Sequence, residues 1–386
     1  MGGADMVRKA RTSESCGHPV RVLHALSSLA VRNGMLSVVE SYHKHLDPDE
    51  VAFDYMYFYD LPDNRKEEIE ALGSRTFFLP FKDLKRPLRA IESFFAEYEG
   101  EWDVLHCHPP FTPQLYARAA KRHGIKRVVA HSHSTKFSDK PLSAARNWTL
   151  SRFIGFFATD YVVCSDAARV LLGRHGKNGF LLRNAIECDR FAFDSTARAS
   201  ARAELEVPDG TLLLGSVGRL AEEKSQQCML IILRAMKERG VSCKLAIAGS
   251  GPKEQFLRER AVELGVANDF LLLGNRSDTP RLYSAFDVFL LTSLFEGLPI
   301  SLIEAQTSGL PCLVSDAVTT EANIVNTRYL SIKATPSVWV DAALAGWEGG
   351  TDRAAACEAV GAAGYDVSVE TSRLAGFYRS ILGGIE

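Results

Sequence analysis

The sequence predicts an α/β protein built from two parallel-sheet domains, and three observations carry that reading. Short apolar runs alternate with amphipathic stretches along nearly the whole chain, the pattern of βαβ units. At 386 residues the chain is too long for one ordinary core and suits two domains of about 150–200 residues. Hydrophobic content of 46% and charged content of 24% are those of a globular protein. No apolar run approaches the roughly 20 residues that span a bilayer. Met1 to Cys16 is small, polar and charged without the apolar stretch of a signal peptide, so residues 1–19 read as a disordered leader.

In the first domain, expected over 20–192, the strands read as Arg21–Leu26, Phe53–Phe58, Thr76–Leu79, Val104–Cys107, Arg127–Ala130 and Tyr161–Val163, with a helix over Ser37–His45. A stretch without helix or strand pattern, 193–199, reads as the linker. The second domain, 200–370, opens on Leu212–Val217 and continues through strands ending at Ala248, Leu273 and Leu291. The Ala-rich tail from Thr335 is helical in pattern, and 371–386 reads as a final helix with enough residues to return to the first domain. In such sheets ligands sit outside the carboxyl ends of the strands.

The eight cysteines are scattered without C-x-x-C pairs and read as buried thiols of a reducing compartment. Net charge is −2, yet residues 101–183 hold 13 Lys and Arg against five Asp and Glu. That excess is either an ordinary solvated face or an attraction to anionic headgroups or a phosphate-bearing acceptor.

Candidate chemistry gathers at strand ends. Leu291 to Pro311, LTSLFEGLPISLIEAQTSGLP, runs from a strand into a helix that should begin near Pro299 and end by Gly309. The unpaired N–H groups and the macrodipole of that first turn suit a phosphate. Glu296 precedes the turn and Glu304 lies inside the helix, where a carboxylate can accept hydrogen bonds from paired sugar hydroxyls. After Leu212–Val217 comes Gly218-Arg219-Leu220-Ala221-Glu222-Glu223-Lys224, whose two cations bracket the loop. They are either surface charges beside Glu222 and Glu223 or a pair that neutralises a diphosphate. Gly249-Ser250-Gly251 and Asn275-Arg276 end two further strands, and Asn33-Gly34 ends the turn after the first strand. Two H-x-H pairs, His106/His108 and His131/His133, admit a metal site, structural hydrogen bonding or a cleft-lining histidine.

The E-x7-E run with Gly-Leu-Pro after the first Glu and again after the helix resembles the signature of retaining glycosyltransferase family 4, whose members have the GT-B architecture of two Rossmann-like domains facing across a cleft. G-R-x4-K at Gly218 to Lys224 resembles the same family. The likeness covers nearly all of 20–385 and is strongest over 212–318; members that build exopolysaccharide, capsule and related glycans are most similar. It implies transfer of a sugar from a nucleoside-diphosphate donor to a hydroxyl with retention at the anomeric carbon. By resemblance Glu296, His133, Arg219 and Lys224 are the catalytic set. Asn33, Gly34, Gly218, Gly249, Ser250, Asn275, Arg276, Gly297, Leu298, Pro299, Ile300, Ser301 and Glu304 line the donor site. Asn33-Gly34 departs from the family's usual Gly-Gly pair.

No cofactor and no metal are implied, because the cations take the metal's place; Asp47-Pro48-Asp49 falls at the wrong end of the sheet for a ligand. The acceptor would be a glycan, a lipid-linked sugar or a small molecule, the location cytoplasmic with contact at the inner face of an anionic membrane, and nucleic acid no partner. Rival readings are a glycoside hydrolase using two carboxylates, disfavoured by the phosphate-binding elements, a sugar-nucleotide epimerase of the same fold, and a nucleotide-sugar binding module without turnover.

Overall fold

Seven apolar runs pair into one parallel sheet and six into another. The computed structural model describes residues 18–30, 34–80, 87–109, 112–133, 137, 141–296, 298–349 and 352–383. Residues 1–17 of the expected leader, Asn33 and Gly297 lie outside these. The first sheet holds β1 (Val20–Ser28), β2 (Val51–Tyr59), β3 (Thr76–Phe78), β4 (Val104–Cys107), β5 (Arg127–Ser132), β6 (Asp160–Val163) and β7 (Phe180–Leu181), in the order β3-β2-β1-β4-β5-β6-β7. The second holds β8 (Leu212–Val217), β9 (Cys243–Ala248), β10 (Phe270–Gly274), β11 (Val288–Leu291), β12 (Cys312–Ser315) and β13 (Thr327–Leu330), in the order β10-β9-β8-β11-β12-β13. Helices cover both faces, which is why the strands read as nearly continuous apolar runs. In β1, Val22 and Leu26 enter one core and Leu23 and Ala25 the other. β7, β12 and β13 add to the strands expected from sequence.

Several boundaries differ from expectation. The first helix starts at Gly34, three residues before Ser37. Residues 195–199, expected in the linker, form the first turn of the helix Ser195–Glu204. Its cap is Asp194, whose side chain accepts from the N–H groups of Thr196 and Ala197 and offsets two otherwise orphaned donors. The crossover lies earlier: Ala185 packs in a first-domain core and Ile186 in a second-domain core.

The chain returns at the same place. Ile186 N–H donates to the Tyr365 carbonyl at 2.9 Å, and Val367 N–H donates to the Ile186 carbonyl at 2.9 Å. The two crossings therefore form one hydrogen-bonded pair. The closing helix, Val367–Gly383, then buries Val367, Leu374, Ala375 and Tyr378 in a first-domain core. It belongs to that domain from Val367, not from 371. A second tie runs between the domains: the Glu321 carboxylate accepts from the N–H groups of Asp166 and Ala167, both at 2.6 Å.

Among the described residues no helix is long and apolar enough to cross a membrane. Cys107, Cys164, Cys188, Cys243 and Cys312 are buried free thiols, while Cys228 and Cys357 are half-buried.

Candidate active site

Strand order reverses between β1 and β4 in the first sheet and between β8 and β11 in the second. At such switch points the loops at the carboxyl ends diverge and leave a crevice. A cavity of about 640 Å³ occupies the cleft between the domains. Gly34, Ser37 and Asp63 line it from the first domain; Gly218, Arg219, Gly249, Ser250, Asn275 and Arg276 line it from the second. The wall is close backbone: Gly249 has φ +143°, and a Cβ there would lie 2.0 Å from the Gly218 carbonyl oxygen. Only glycine fits that turn. Asp47 and Asp49 sit together in the exposed turn before β2, away from the cleft.

The loops after β8 and β11 are bound to each other. Lys224 Nζ lies 2.7 Å from Glu296 Oε1, with side-chain exposures of 23% and 11%. Ser293 Oγ donates to the same carboxylate oxygen at 2.5 Å. Thr292 Oγ1 donates to the Ser225 carbonyl at 3.1 Å, and Leu294 N–H to the Glu223 carbonyl at 2.7 Å. Ser225 is held at φ +50°, a left-handed conformation that a β-substituted residue adopts at a cost of about 1–2 kcal/mol. The Lys224 and Glu296 termini are thus pre-aligned with one positive and one negative group beside the start of the site helix.

That helix runs Ile300–Thr307, with Pro299 as its cap rather than its first helical residue. Leu298 and Ile300 anchor it, Ile300 packing against cores of both domains. Gly309 follows at φ +70°, the usual glycine position after a helix. Glu304, one turn in, accepts from Tyr283 Oη at 2.6 Å. Burial raises its carboxyl to about 7, with the tyrosine hydrogen bond and Arg190 opposing.

This has a sign. A carboxyl raised above its unfolded value near 4.5 stabilises the fold fully below that value, and the contribution is lost as pH rises through 7. Ligand hydroxyls need the ionised acceptor, so nucleotide affinity should move the other way, rising up to about tenfold per pH unit below 7 and levelling above it. Calorimetric titration between pH 5.5 and 8.5 checks this, and Glu304→Gln should flatten the profile.

The other expected residues are placed less directly. Arg276 lines the cavity, but its guanidinium is held by both Asp278 oxygens at 2.7 Å and by Glu204 at 2.9 Å. Its side chain therefore braces the loop. Arg219 is exposed on the cavity wall, its carbonyl accepting from Gln226 Nε2. Ser301 is half-buried in the first turn of the site helix, and Asn275 is exposed. Sequence reasoning missed Ser293, Tyr283 and Asn184. Ser293 is three residues from Glu296 and was findable; Tyr283, 21 residues from Glu304, carries no local signal.

His133 ends the first-domain side. Its Nε2 lies 2.8 Å from His108 Nδ1, its ring centroid lies 3.8 Å from that of His131, and Asn184 is a further polar neighbour. Burial lowers it to about 4. His106, His108 and His131 offer ring nitrogens within 4.8 Å of one another, the spacing of a possible metal group. Within that group the nitrogens already pair, His106 Nε2 with His131 Nδ1 at 3.1 Å, and among the described residues no carboxylate or thiolate joins it to offset a buried divalent charge.

Residues 197–338 match the family model described as glycosyl transferases group 1. The chain is 32% identical over 375 residues to a putative glycosyltransferase, EpsF, of Bacillus subtilis, covering 93% of this chain and 96% of that protein. It is 25% identical over 260 residues to the Escherichia coli UDP-Gal:alpha-D-GlcNAc-diphosphoundecaprenol alpha-1,3-galactosyltransferase, covering 63% and 66%. The crystal structure of Anabaena HepE with UDP-glucose superposes with a TM-score of 0.76 at 17% identity, over 93% of this chain and 99% of that one. With two parallel-sheet domains facing across a cleft and a relative matched over nearly its full length, this chain belongs to the group 1 glycosyltransferases of GT-B fold.

Proposed function

We propose that the protein transfers a sugar from a nucleoside-diphosphate donor to a hydroxyl acceptor, with retention and without a divalent metal. The observation that supports this most is the Lys224 to Glu296 pair, set where the loops after β8 and β11 meet beside the site helix. The reaction builds negative charge on a departing diphosphate and positive charge on the sugar ring. Arg219, Lys224 and the helix start would stabilise the first. Glu296 would hold a sugar hydroxyl and Glu304 the ribose hydroxyls, so their part is positioning. Asn33, Gly34, Gly218, Gly249, Ser250, Asn275 and Arg276 would line the nucleotide side, with Gly297 to Ser301 against the phosphates. The relatives named for UDP-Gal and UDP-glucose make UDP-sugars the first donors to try.

A lipid-linked or glycan acceptor at a membrane's inner face fits the first domain's surface. Leu142 and Phe156 are 89% and 78% exposed, Trp148 and Phe153 about half, and Arg152 lies 4.9 Å over the Trp148 ring. Apolar tips among basic residues suit an anionic lipid interface. The test is incubation with UDP-, GDP- and ADP-sugars, with and without EDTA, reading nucleotide release and the anomeric configuration of the product by NMR. One donor giving slow, EDTA-resistant release supports the reading. Inverted product, turnover lost with EDTA, or no release from any donor would overturn it.

A further inference from the structure

Five histidines, not four, stand on one face of the first sheet. His24 in β1 is in register with His106 in β4, and alternation carries the face to His108, His131 and His133. Their rings stack, His106 on His108 at 4.7 Å between centroids and His24 on His108 at 5.1 Å. Three form an unbroken chain from the interior to His133, just past the carboxyl end of β5: His24 Nδ1 to His108 Nε2 at 2.8 Å, then His108 Nδ1 to His133 Nε2 at 2.8 Å. His24 and His108 are 2% and 1% exposed, while His133 is half-buried.

Each link is an N–H···N bond between neutral rings, and a neutral imidazole carries one N–H. The chain therefore has two arrangements only, and fixing one ring fixes the other two. If protons pointed inward, from His133 through His108, His24 would carry its proton on Nε2. That atom is buried and has no hydrogen-bond partner among the described residues. A buried N–H without an acceptor forfeits its hydration with nothing in return, and such donors are rarer in folded proteins than unpaired acceptors. Protons pointing outward leave only a lone pair at His24 Nε2. Then His24 Nδ1–H donates to His108 Nε2, His108 Nδ1–H donates to His133 Nε2, and His133 keeps its proton on Nδ1.

We propose that His24 and His108 are positioning residues whose hydrogen-bond chain holds His133 as the Nδ1–H tautomer, presenting a donor to a donor-sugar oxygen in the cleft. His108 acts directly on His133, and His24 sets the direction of the chain. The role toward sugar rests on the transferase reading; the tautomer does not.

Histidine-labelled full-length protein, read by two-bond 1H–15N NMR correlation, reports which nitrogen of each ring is protonated. His24 and His133 should both appear as Nδ1–H in the ligand-free wild type; either as Nε2–H overturns the proposal. His108→Phe should release His133 toward Nε2–H. His108→Asn, whose amide can reach the place of Nδ1, should restore the Nδ1–H form. An unchanged His133 tautomer in His108→Phe also overturns it. With a donor identified, His108→Phe should lower transfer about tenfold and His108→Asn should recover most of it, by analogy with the loss seen when the hydrogen-bond partner of a metal-ligating histidine is removed. Absence of any turnover by the wild type would count against the transferase reading, while the NMR result still decides the chain's direction.

Discussion

Lys224→Ala is expected to lower sugar transfer by about 10²–10³-fold, the scale for deleting one charge-stabilising group from a transition state. The protein should stay folded. Lys224 ends the short helical turn Glu222–Lys224 after β8 with its side chain 23% exposed. Its loss also leaves Glu296 with Ser293 as the remaining partner described, so the carboxylate is freed to move from the position it holds at 2.7 Å. Glu296→Ala should cost transfer on a similar scale, and the double variant should cost less than the product of the two, since paired groups act as one unit. Steady-state rates with circular dichroism on all three variants check this. Full activity in both single variants would remove these residues from the site.

Arg353→Met should have the largest effect on stability. The Arg353 guanidinium donates to the carbonyls of Tyr283 at 2.8 Å, Ser284 at 3.3 Å, Phe286 at 3.1 Å and Ser308 at 2.7 Å, and to Ser308 Oγ at 2.8 Å. The first three end the helix Thr279–Ala285, and Ser308 ends the site helix. Helix C-termini carry orphaned carbonyls and partial negative charge, so one planar cation satisfies both ends together. Arg353 also lies 4.1 Å over the Phe193 ring. Arg198 still donates to the Ser284 and Phe286 carbonyls, so methionine fills the space and strands the buried acceptors of Tyr283 and Ser308, at about 3 kcal/mol or more. The melting temperature should fall by about 6–12 °C. These two helices carry Tyr283 and Glu304, so nucleotide affinity should fall as well. A melting temperature within 2 °C of the wild type would show that the arginine does not brace the site, the threshold being about one kcal/mol.

The fold was legible because its signals are local. β4, β8 and β11 have the bounds that their apolar runs predict, Val104–Cys107, Leu212–Val217 and Val288–Leu291. The site loops were legible for the same reason: strand, turn and helix follow one another within single stretches at Lys224 and Glu296. What escaped depends on pairing between distant segments. The crossing at Ile186 is fixed by Tyr365 and Val367, nearly 180 residues away, and the composition of 186–192 does not announce it. Arg276 reads in sequence as a loop cation free for a ligand, whereas Asp278 and Glu204 claim it. His24 reads as an ordinary strand residue until the register of β1 on β4 sets it beside His106. The helical cap at Asp194 was local and could have been read from Asp-Ser-Thr-Ala, an acidic cap before a helix-forming run.

The most direct test of the site is calorimetric titration of UDP, GDP and ADP into the wild type, Glu304→Gln and Lys224→Ala at pH 8, where Glu304 is ionised. The account predicts that one diphosphate binds the wild type, that Glu304→Gln weakens both the diphosphate and its parent nucleoside, and that Lys224→Ala weakens the diphosphate far more than the nucleoside. Equal affinities in all three proteins, or no binding by the wild type, would contradict it.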